Sequence, residues 1–132
     1  MAEFTIPKHG EICWRELATT DLGAAMKFYS KLFGWTLTQT KVTEMDYKEI
    51  VVNDVALGGM MAMGEEWGPE PPPSHWNNYV AVDNADETAA KITANGGQIN
   101  HGPFDAPGVG RMAMATDPSG ANFAIIQFTE PM

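Results

Sequence analysis

A proline-rich stretch, GEEWGPEPPPS at residues 64–74, divides this chain into two halves with the same pattern. Its four prolines exclude an α-helix or a central β-strand, so the stretch is predicted to be a linker. On either side of it the sequence predicts the same order of elements: a strand, a helix and three further strands. This repeat constrains the fold strongly, because one helix can cover only one face of each four-stranded sheet.

The first half contains a helix with clear start and stop signals. AAMKFYSKLF at 24–33 follows the N-cap signal Thr20-Asp21 and ends at Gly34. Apolar residues at steps of three and four predict one buried stripe, made of Ala25, Phe28, Tyr29, Leu32 and Phe33. The predicted strands of this half lie at 11–17, 35–40, 47–52 and 55–63, after a loose lead-in over 1–9.

The second half repeats the order. Its helix is predicted over 83–95, begins at Asp83 or Asn84 and ends at Gly96-Gly97. The tetrapeptide DPSG at 117–120 predicts a sharp turn before the last strand. The predicted strands lie at 78–82, 98–101, 111–115 and 122–127. The whole chain, 1–132, is predicted to be a single domain of two modules, 10–63 and 76–128, joined by the linker 64–75.

These elements predict an α+β fold. Two βαβββ modules placed edge to edge would form a curved, eight-stranded trough with the helices on the outside. Because strand side chains alternate, residues of one parity should pack on the helices and those of the other should line the trough.

Composition narrows the range of functions. The chain has 8 basic against 17 acidic side chains, a net charge of −9, so it lacks the basic footprint of a nucleic-acid binder and is repelled by anionic membranes. No stretch approaches the length of a membrane span. The single cysteine, Cys13, allows no internal disulfide, which indicates a reducing compartment and predicts a cytoplasmic protein.

The residues of both halves resemble a known family. The segments that carry the resemblance are EICWRELATTD, AAMKFYSKLFGW, GGMMAM, HWNNYVAVDNAD, GGQI and PGVGRMAMATDPSGANFAIIQ, and they extend over residues 10–128. They resemble the vicinal oxygen chelate superfamily of glyoxalases, bleomycin resistance proteins and ring-cleaving dioxygenases, and within it a branch of small glyoxalase-like proteins. The resemblance implies the two-module fold but is less specific for function, since one fold hosts many chemistries.

The resemblance also implies where a divalent metal would be held. Metal-using members carry one ligand, His, Glu or Gln, on the first strand and one on the fourth strand of each half. Carried over to this chain, the positions are Trp14, Gly59 or Met60, Asn77 and Ala124. Because only an Asn carboxamide offers a donor there, we predict no metal and no other cofactor. The histidines are interpreted as surface or turn residues: His9, His75 and His101.

Strand parity predicts which side chains line the trough. If Trp14 points inward, alternate residues of its strand do so too, including Glu16. The predicted ligand-binding set is Trp14, Gly59, Met60, Asn77, Tyr79, Arg111, Asn122 and Ala124. A carboxylate that faces the trough costs free energy unless it is paired or hydrated. Glu16 is therefore either an ion-pair partner, with Arg111 as one candidate, or a catalytic or ligand-orienting group.

Three hypotheses on function stay open at this point. The first is a metal-free protein whose trough binds a small, partly apolar organic molecule. The second is a small lyase, isomerase or hydrolase-type enzyme, with or without a divalent metal, in which Glu16 acts as acid or base. The third is an interaction module whose trough is filled by its own side chains. Small size and an acidic surface also favour a homodimer, as in many members of the superfamily.

Overall fold

The computed structural model describes residues 6–40 and 47–128 of the 132-residue chain. These ranges contain eight strands and two α-helices in the predicted order. The elements are β1 Ile12–Thr19, α1 Leu22–Phe33, β2 Thr36–Gln39, β3 Tyr47–Val52, β4 Val55–Ala62, β5 His75–Ala81, α2 Ala85–Ala94, β6 Gln98–Ala106, β7 Gly110–Thr116 and β8 Asn122–Phe128. The predicted α+β fold of two βαβββ modules is confirmed.

Two compact units make up the described residues. Unit 1 lies within residues 14–76, and unit 2 consists of residues 6–13 together with 77–128. The module bounds, the linker and the single domain drawn from the sequence stay predictions, and residues 1–5 of the lead-in lie outside the described ranges.

The sequence predicts a loose lead-in over 1–9, but His9 at its end is hydrogen-bonded within unit 2, as are Gly10 and Glu11, which follow it. The Gly10 N–H donates to the Ala81 carbonyl at 2.7 Å, and the Ala81 N–H donates to the Glu11 carbonyl at 2.8 Å. His9 Nδ1 accepts a hydrogen bond from the Asp83 N–H at 2.9 Å. Residues 9–11 thus satisfy backbone groups at and just beyond the end of β5.

The sheet of unit 1 has the strand order β2-β3-β4-β1, with β1 and β4 parallel and the other neighbours antiparallel. Leu17 of β1 and Met60 of β4 lie side by side, and they are buried with Leu22 and Ile50 in the core beneath α1. Alternate residues of the same strands point to the opposite face of the sheet, where the candidate site lies.

Helix α1 begins and ends at the residues that carry its capping signals. The Asp21 carboxylate accepts a hydrogen bond from the Ala24 N–H at 3.0 Å, as an N-cap does. Gly34 ends the helix in the left-handed conformation, with φ of 70°, where glycine is favoured over other residues. Local signals therefore set both ends of this helix.

The buried side of α1 differs from the prediction. Phe28, Leu32 and Phe33 were assigned by their spacing to one buried stripe, but they are 57%, 57% and 58% exposed. The side that packs on the core carries Leu22, Ala25, Met26 and Tyr29, so the predicted stripe is confirmed for Ala25 and Tyr29. It is wrong for the other three residues, because periodicity identifies the apolar part of a helix without showing how wide a strip its sheet covers.

The sheet of unit 2 has the strand order β5-β8-β7-β6, with β5 and β8 parallel and the other neighbours antiparallel. Its core beneath α2 is formed by Val82, Ala85, Ala113 and Ile125. Strand β6 continues to Ala106, well beyond its predicted end at residue 101. The strand accommodates Gly102-Pro103 because its register against β7 shifts on both sides of His101.

The turn before β8 is built around one carboxylate. Asp117 Oδ1 accepts hydrogen bonds from the Ser119 N–H at 2.8 Å, the Ser119 hydroxyl at 2.7 Å and the Ala121 N–H at 3.0 Å. Gly120, with φ of 96°, supplies the left-handed residue that closes the turn. The hydrogen bonds, that of the Ser119 hydroxyl first, hold the pKa of Asp117 below its usual value.

This turn should make part of the stability depend on pH. A carboxyl whose pKa is lowered by folding stabilises the native state above its unfolded pKa, which is about 3.9 for aspartate. That contribution disappears as the pH falls through the lower, folded-state pKa. We therefore expect Asp117→Ala to lower the Tm at pH 7 and to have a smaller effect near pH 2, measured by thermal denaturation. Glu70→Gln, which alters an exposed carboxylate, is the control, and an Asp117→Ala effect independent of pH would contradict this account.

The linker holds a short helical turn that the sequence does not predict. Glu65–Trp67 form one turn of 3₁₀-helix ahead of the first proline of the stretch. At the end of the linker, Ser74 Oγ accepts a hydrogen bond from the Thr20 N–H at 3.0 Å, within unit 1. Over the described residues, neither helix combines the length and the apolar composition that a membrane crossing requires.

Candidate functional site

The face of the unit 1 sheet opposite α1 holds several of the residues predicted to form a site. The β1–β4 register sets Glu16 beside Gly59. The β3–β4 register sets Tyr47 beside Met61, whose side chain points to the same face of the sheet as position 59, two residues earlier in β4. Trp14 lies two residues before Glu16 and so shares this face. Trp14, Glu16 and Tyr47 are partly exposed, whereas Gly59 is buried. We call these four residues the unit 1 site.

A hydrogen-bond relay joins three side chains of the unit 1 site. Trp14 Nε1 donates to Tyr47 Oη at 2.8 Å, and Tyr47 Oη donates to Glu16 Oε2 at 2.8 Å. The Tyr47 hydroxyl is acceptor and donor at once, as a phenol can be. Because a hydrogen bond to an ionised carboxylate is strong, the relay orients Glu16 and offsets part of the cost of its burial.

Gly59 makes room for the relay. A Cβ atom at this position would lie 2.1 Å from Tyr47 Oη and 2.2 Å from Tyr47 Cζ, far inside van der Waals contact. Any residue with a Cβ atom at position 59 is therefore incompatible with the present position of the Tyr47 phenol. Of the two candidates for the fourth-strand position, Gly59 lies beside Glu16, whereas Met60 is fully buried in the core beneath α1. The assignment of either residue to a ligand site stays a prediction.

Arg111 is engaged by two carboxylates of unit 2. Its Nε donates to Asp86 Oδ2 at 3.0 Å and its Nη2 donates to Asp86 Oδ1 at 3.1 Å, while its Nη1 lies 3.1 Å from Asp105 Oδ1. These hydrogen bonds, the one with Asp86 first, raise the pKa of Arg111 above its usual value. Arg111 thus ties α2 to β6 and β7, and its place in the ligand-binding set stays a prediction.

The face of the unit 2 sheet opposite α2 carries further predicted residues. The strand registers set Tyr79 and Met114 on either side of Ala124. Ala124 is fully buried and Tyr79 is 5% exposed. The place of Ala124 in the ligand-binding set stays a prediction.

Two asparagines complete the predicted set. Asn77 Nδ2 lies 4.0 Å from Met114 Sδ, and its buried Oδ1 has no hydrogen-bond partner among the residues that the structure describes. Asn122 is exposed at the start of β8, where its Oδ1 accepts a hydrogen bond from Thr116 Oγ1 at 3.2 Å. The structure thus brings Trp14, Glu16 and Gly59 together and places Asn122 at a solvent-exposed strand end.

The positions at which the family resemblance implies metal ligands do not fit a divalent cation. In unit 1 the indole N–H of Trp14 can only donate, and Gly59 is covered by Tyr47. In unit 2, Ala124 has no donor atom and Asn77 offers one carboxamide oxygen. The ranges 6–40 and 47–128 contain no group of three or more His, Cys, Asp or Glu side chains placed to hold a metal.

The histidines have local contacts. His75 Nδ1 lies 2.8 Å from the Pro73 carbonyl oxygen, and the His101 ring packs on the Phe104 ring with 4.6 Å between centroids. His9 and His101 are exposed, as interpreted, but His101 lies within β6 and not in a turn.

Tyr47 is the site residue that the sequence analysis missed. It was predicted to begin a strand, which is correct, but no role was assigned to it. The available signal was the Gly58-Gly59 pair inside a strand pattern, since glycine there marks a close approach of another group. The sequence does not show which group approaches, because this depends on the register of β3 against β4.

Comparisons with known proteins identify relatives of the chain. The family model described as Glyoxalase/Bleomycin resistance protein/Dioxygenase superfamily matches residues 11–125. "Putative glyoxylase CFP32" of Mycobacterium bovis is 38% identical over 123 aligned positions, and the match covers 89% of this chain and 44% of the relative. "Anthracycline biosynthesis protein DnrV" of Streptomyces peucetius is 30% identical over 139 aligned positions, and the match covers 88% of this chain and 46% of the relative. The chain thus spans somewhat less than half the length of these curated relatives.

Solved structures share the fold. A variant of methylmalonyl-CoA epimerase from Streptomyces coelicolor, in complex with 2-nitronate-propionyl-CoA, matches with a TM-score of 0.61 at 17% sequence identity. The match covers 93% of this chain and 100% of that chain. At this level of identity the likeness extends to the fold and not to the activity.

Proposed function

This chain belongs to the glyoxalase/bleomycin resistance protein/dioxygenase superfamily, and from that premise we propose that it binds a small, partly apolar organic molecule without a metal or other cofactor. We assign the binding to the unit 1 site. The observation that carries the proposal is the relay from Trp14 through Tyr47 to Glu16.

The relay combines an apolar surface with an oriented acceptor. The Trp14 indole offers a flat apolar face, and the Glu16 carboxylate accepts hydrogen bonds. Tyr47 holds both side chains through its hydroxyl before any ligand arrives, which reduces the entropy that binding would cost. A ligand with an aromatic or cyclic body and a hydroxyl or amine group could stack on Trp14 and donate to Glu16.

The name of one relative directs the choice of the first ligands. DnrV is named an anthracycline biosynthesis protein, which supports testing hydroxylated aromatic compounds. Because this chain spans only 46% of that relative, the ligand class is a proposal for this chain.

The test compares two probes that differ in one donor group, 2-naphthol and 2-methoxynaphthalene. We expect the wild-type protein to bind 2-naphthol about tenfold more tightly, since one hydrogen bond to a charged acceptor is worth roughly 1.5 kcal/mol. In Glu16→Gln and in Tyr47→Phe this preference should fall to about twofold or less. The measurement is an NMR titration of isotope-labelled protein that follows the indole N–H of Trp14. Glu65→Gln, a change at an exposed carboxylate, is the matched control.

Two outcomes would contradict the proposal. One is a wild-type protein whose Trp14 indole N–H does not respond to either probe. The other is a preference for 2-naphthol that survives unchanged in Glu16→Gln, because the carboxylate would then not be its acceptor.

A second candidate function is an enzyme in which Glu16 is the acid or base. The placement of the Tyr47 hydroxyl 2.8 Å from Glu16 Oε2 favours it, since the pair could move a proton to and from a carbonyl or hydroxylated compound. Turnover that is lost in Glu16→Gln but kept in Arg111→Ala would establish this function over simple binding. The chain is further proposed to act in the cytoplasm and as a homodimer, in line with its single cysteine and its size.

A further inference from the structure

One buried polar atom of unit 2 is left without a partner. The carboxamide oxygen of Asn77, Oδ1, is shielded from solvent and has no hydrogen-bond partner within residues 6–40 and 47–128. An amide oxygen buried in this way loses the hydrogen bonds that water would give it, and for that reason most buried polar atoms in proteins are paired. The unpaired oxygen therefore indicates a position that a donor from outside the chain fills.

The side chain next to the Asn77 amide is one that can move aside. Asn77 Nδ2 lies 4.0 Å from Met114 Sδ, and a thioether sulfur is only a weak acceptor. The methionine side chain is unbranched and flexible, so it adapts to a neighbour at little cost. Rotation of the Met114 thioether would give an incoming donor access to the Asn77 amide.

A second carboxamide lies on the strand beside Asn77. Strands β5 and β8 are parallel with Tyr79 beside Ala124, and extending this register by two residues sets Asn77 opposite Asn122. Neighbouring strands are about 4.8 Å apart, which is close enough for one small group to contact both side chains. We call Asn77 and Asn122 the amide pair.

Hydrogen bonds across the sheet orient Asn122. Asn100 Nδ2 donates to Thr116 Oγ1 at 2.6 Å, and Thr116 Oγ1 donates to Asn122 Oδ1 at 3.2 Å. With its oxygen engaged in this way, Asn122 has its Nδ2 group left as a donor, which makes no hydrogen bond inside the described part of the chain. The amide pair thus offers one acceptor, Asn77 Oδ1, and one donor, Asn122 Nδ2.

We propose that the amide pair is a binding position in unit 2 for a neutral amide group of a small organic ligand. Such a group donates its N–H to Asn77 Oδ1 and accepts from Asn122 Nδ2 through its carbonyl oxygen, so both unused atoms become paired. An anionic group is disfavoured, because the pair itself is uncharged and the chain carries a net charge of −9. The inference rests on the proposed function only in that this chain takes a small organic molecule, and it concerns residues other than the unit 1 site.

An NMR titration with benzamide and N,N-dimethylbenzamide, which differ in the presence of an amide N–H, tests the inference. We expect benzamide to shift the side-chain amide signals of Asn77 and to bind about tenfold more tightly than its dimethyl analogue, a preference of the size that one hydrogen bond supplies. In Asn77→Leu this preference should fall to about twofold or less. Asn78→Leu changes the next, exposed residue on the opposite face of β5 and is the matched control, which should keep the preference.

Thermal denaturation of the ligand-free protein separates a binding role of Asn77 from a structural one. Replacing an unpaired buried amide by an apolar group of similar size removes a cost, so the Tm of Asn77→Leu should equal or exceed that of the wild type. A Tm that falls by several degrees would show that Asn77 Oδ1 is already paired in the free protein, by water or otherwise, and would overturn the inference.

Failure of this inference is distinguishable from failure of the proposed function. Asn77 signals that do not respond to benzamide, or a preference for benzamide that survives in Asn77→Leu, overturn the binding position at the amide pair. A response of the Trp14 indole to the naphthalene probes in the same protein would then leave the unit 1 site standing. Asn77 signals that respond to benzamide, with a Trp14 indole silent to both naphthalene probes, overturn the assignment to the unit 1 site and support the amide pair.

Discussion

Gly59→Ala should displace Tyr47 and lower the free energy of unfolding by about 2 kcal/mol, because a methyl group in a packed region forces its neighbours to move. The added Cβ atom would lie 2.1 Å from Tyr47 Oη, so the phenol has to leave and the relay to Trp14 and Glu16 breaks. Urea denaturation followed by tryptophan fluorescence measures the loss. The indole N–H resonance of Trp14 should also shift in the NMR spectrum of the variant.

A double-mutant cycle identifies the cause. In a Tyr47→Ala background the colliding ring is gone, so Gly59→Ala should there cost less than about 0.5 kcal/mol. Gly23→Ala is the control, since a Cβ atom at Gly23 meets nothing closer than Asp21 Oδ1 at 3.7 Å. Replacing this helical glycine should stabilise the protein slightly. A cost of Gly59→Ala that persists without the Tyr47 ring would show that the phenol is not the obstacle.

Met60→Ala should cost about 3 kcal/mol of unfolding free energy, the largest effect we expect from a single side chain. Met60 is fully buried, and its thioether packs among Leu17, Leu22 and Ile50. Truncation removes this burial and leaves a cavity that the surrounding β-structure can close only in part. Urea denaturation of the wild type and the variant, with equal slopes in both, gives the difference directly.

Two matched variants show whether the loss of unfolding free energy in Met60→Ala comes from the cavity or from the loss of a methionine as such. Met60→Leu keeps most of the volume and should cost less than about 1.5 kcal/mol. Met63→Ala removes the same atoms at a half-buried position of the same unit and should cost clearly less than Met60→Ala. Equal losses at positions 60 and 63 would mean that Met60 is not part of a tightly packed core.

Features of the fold that depend on neighbouring residues could be predicted from the sequence. Asp21 and Gly34 set the ends of α1 through contacts within a few residues, and β3 and β4 flank the Asn53-Asp54 turn, whose two residues have φ of 50° and 65°. Features that depend on distant partners could not. The exposure of Phe28 is one example, because it depends on how much of α1 the sheet covers.

The same contrast between local signals and distant partners applies to the candidate site. Strand parity correctly placed Trp14 and Glu16 on one face, since alternation is a property of a single strand. Choosing Gly59 over Met60, and finding Tyr47, required the registers of β1 and β3 against β4, which no single segment encodes. The ion-pair partner of Arg111 could not be predicted for the same reason, as Asp86 comes from a helix 25 residues away in sequence.

The hydrogen bonds of His9, Gly10 and Glu11 to the end of β5 determine which fragments of the protein could fold alone. Unit 2 draws on residues 6–13 as well as 77–128, so it is discontinuous along the polypeptide. A fragment expressed from the prolines onward would lack the segment that pairs with Ala81. The N–H groups of Ala81 and Asp83 would then lose the hydrogen bonds that this segment makes with them. A stand-alone version of this half would need the amino-terminal peptide supplied separately or grafted onto its other end.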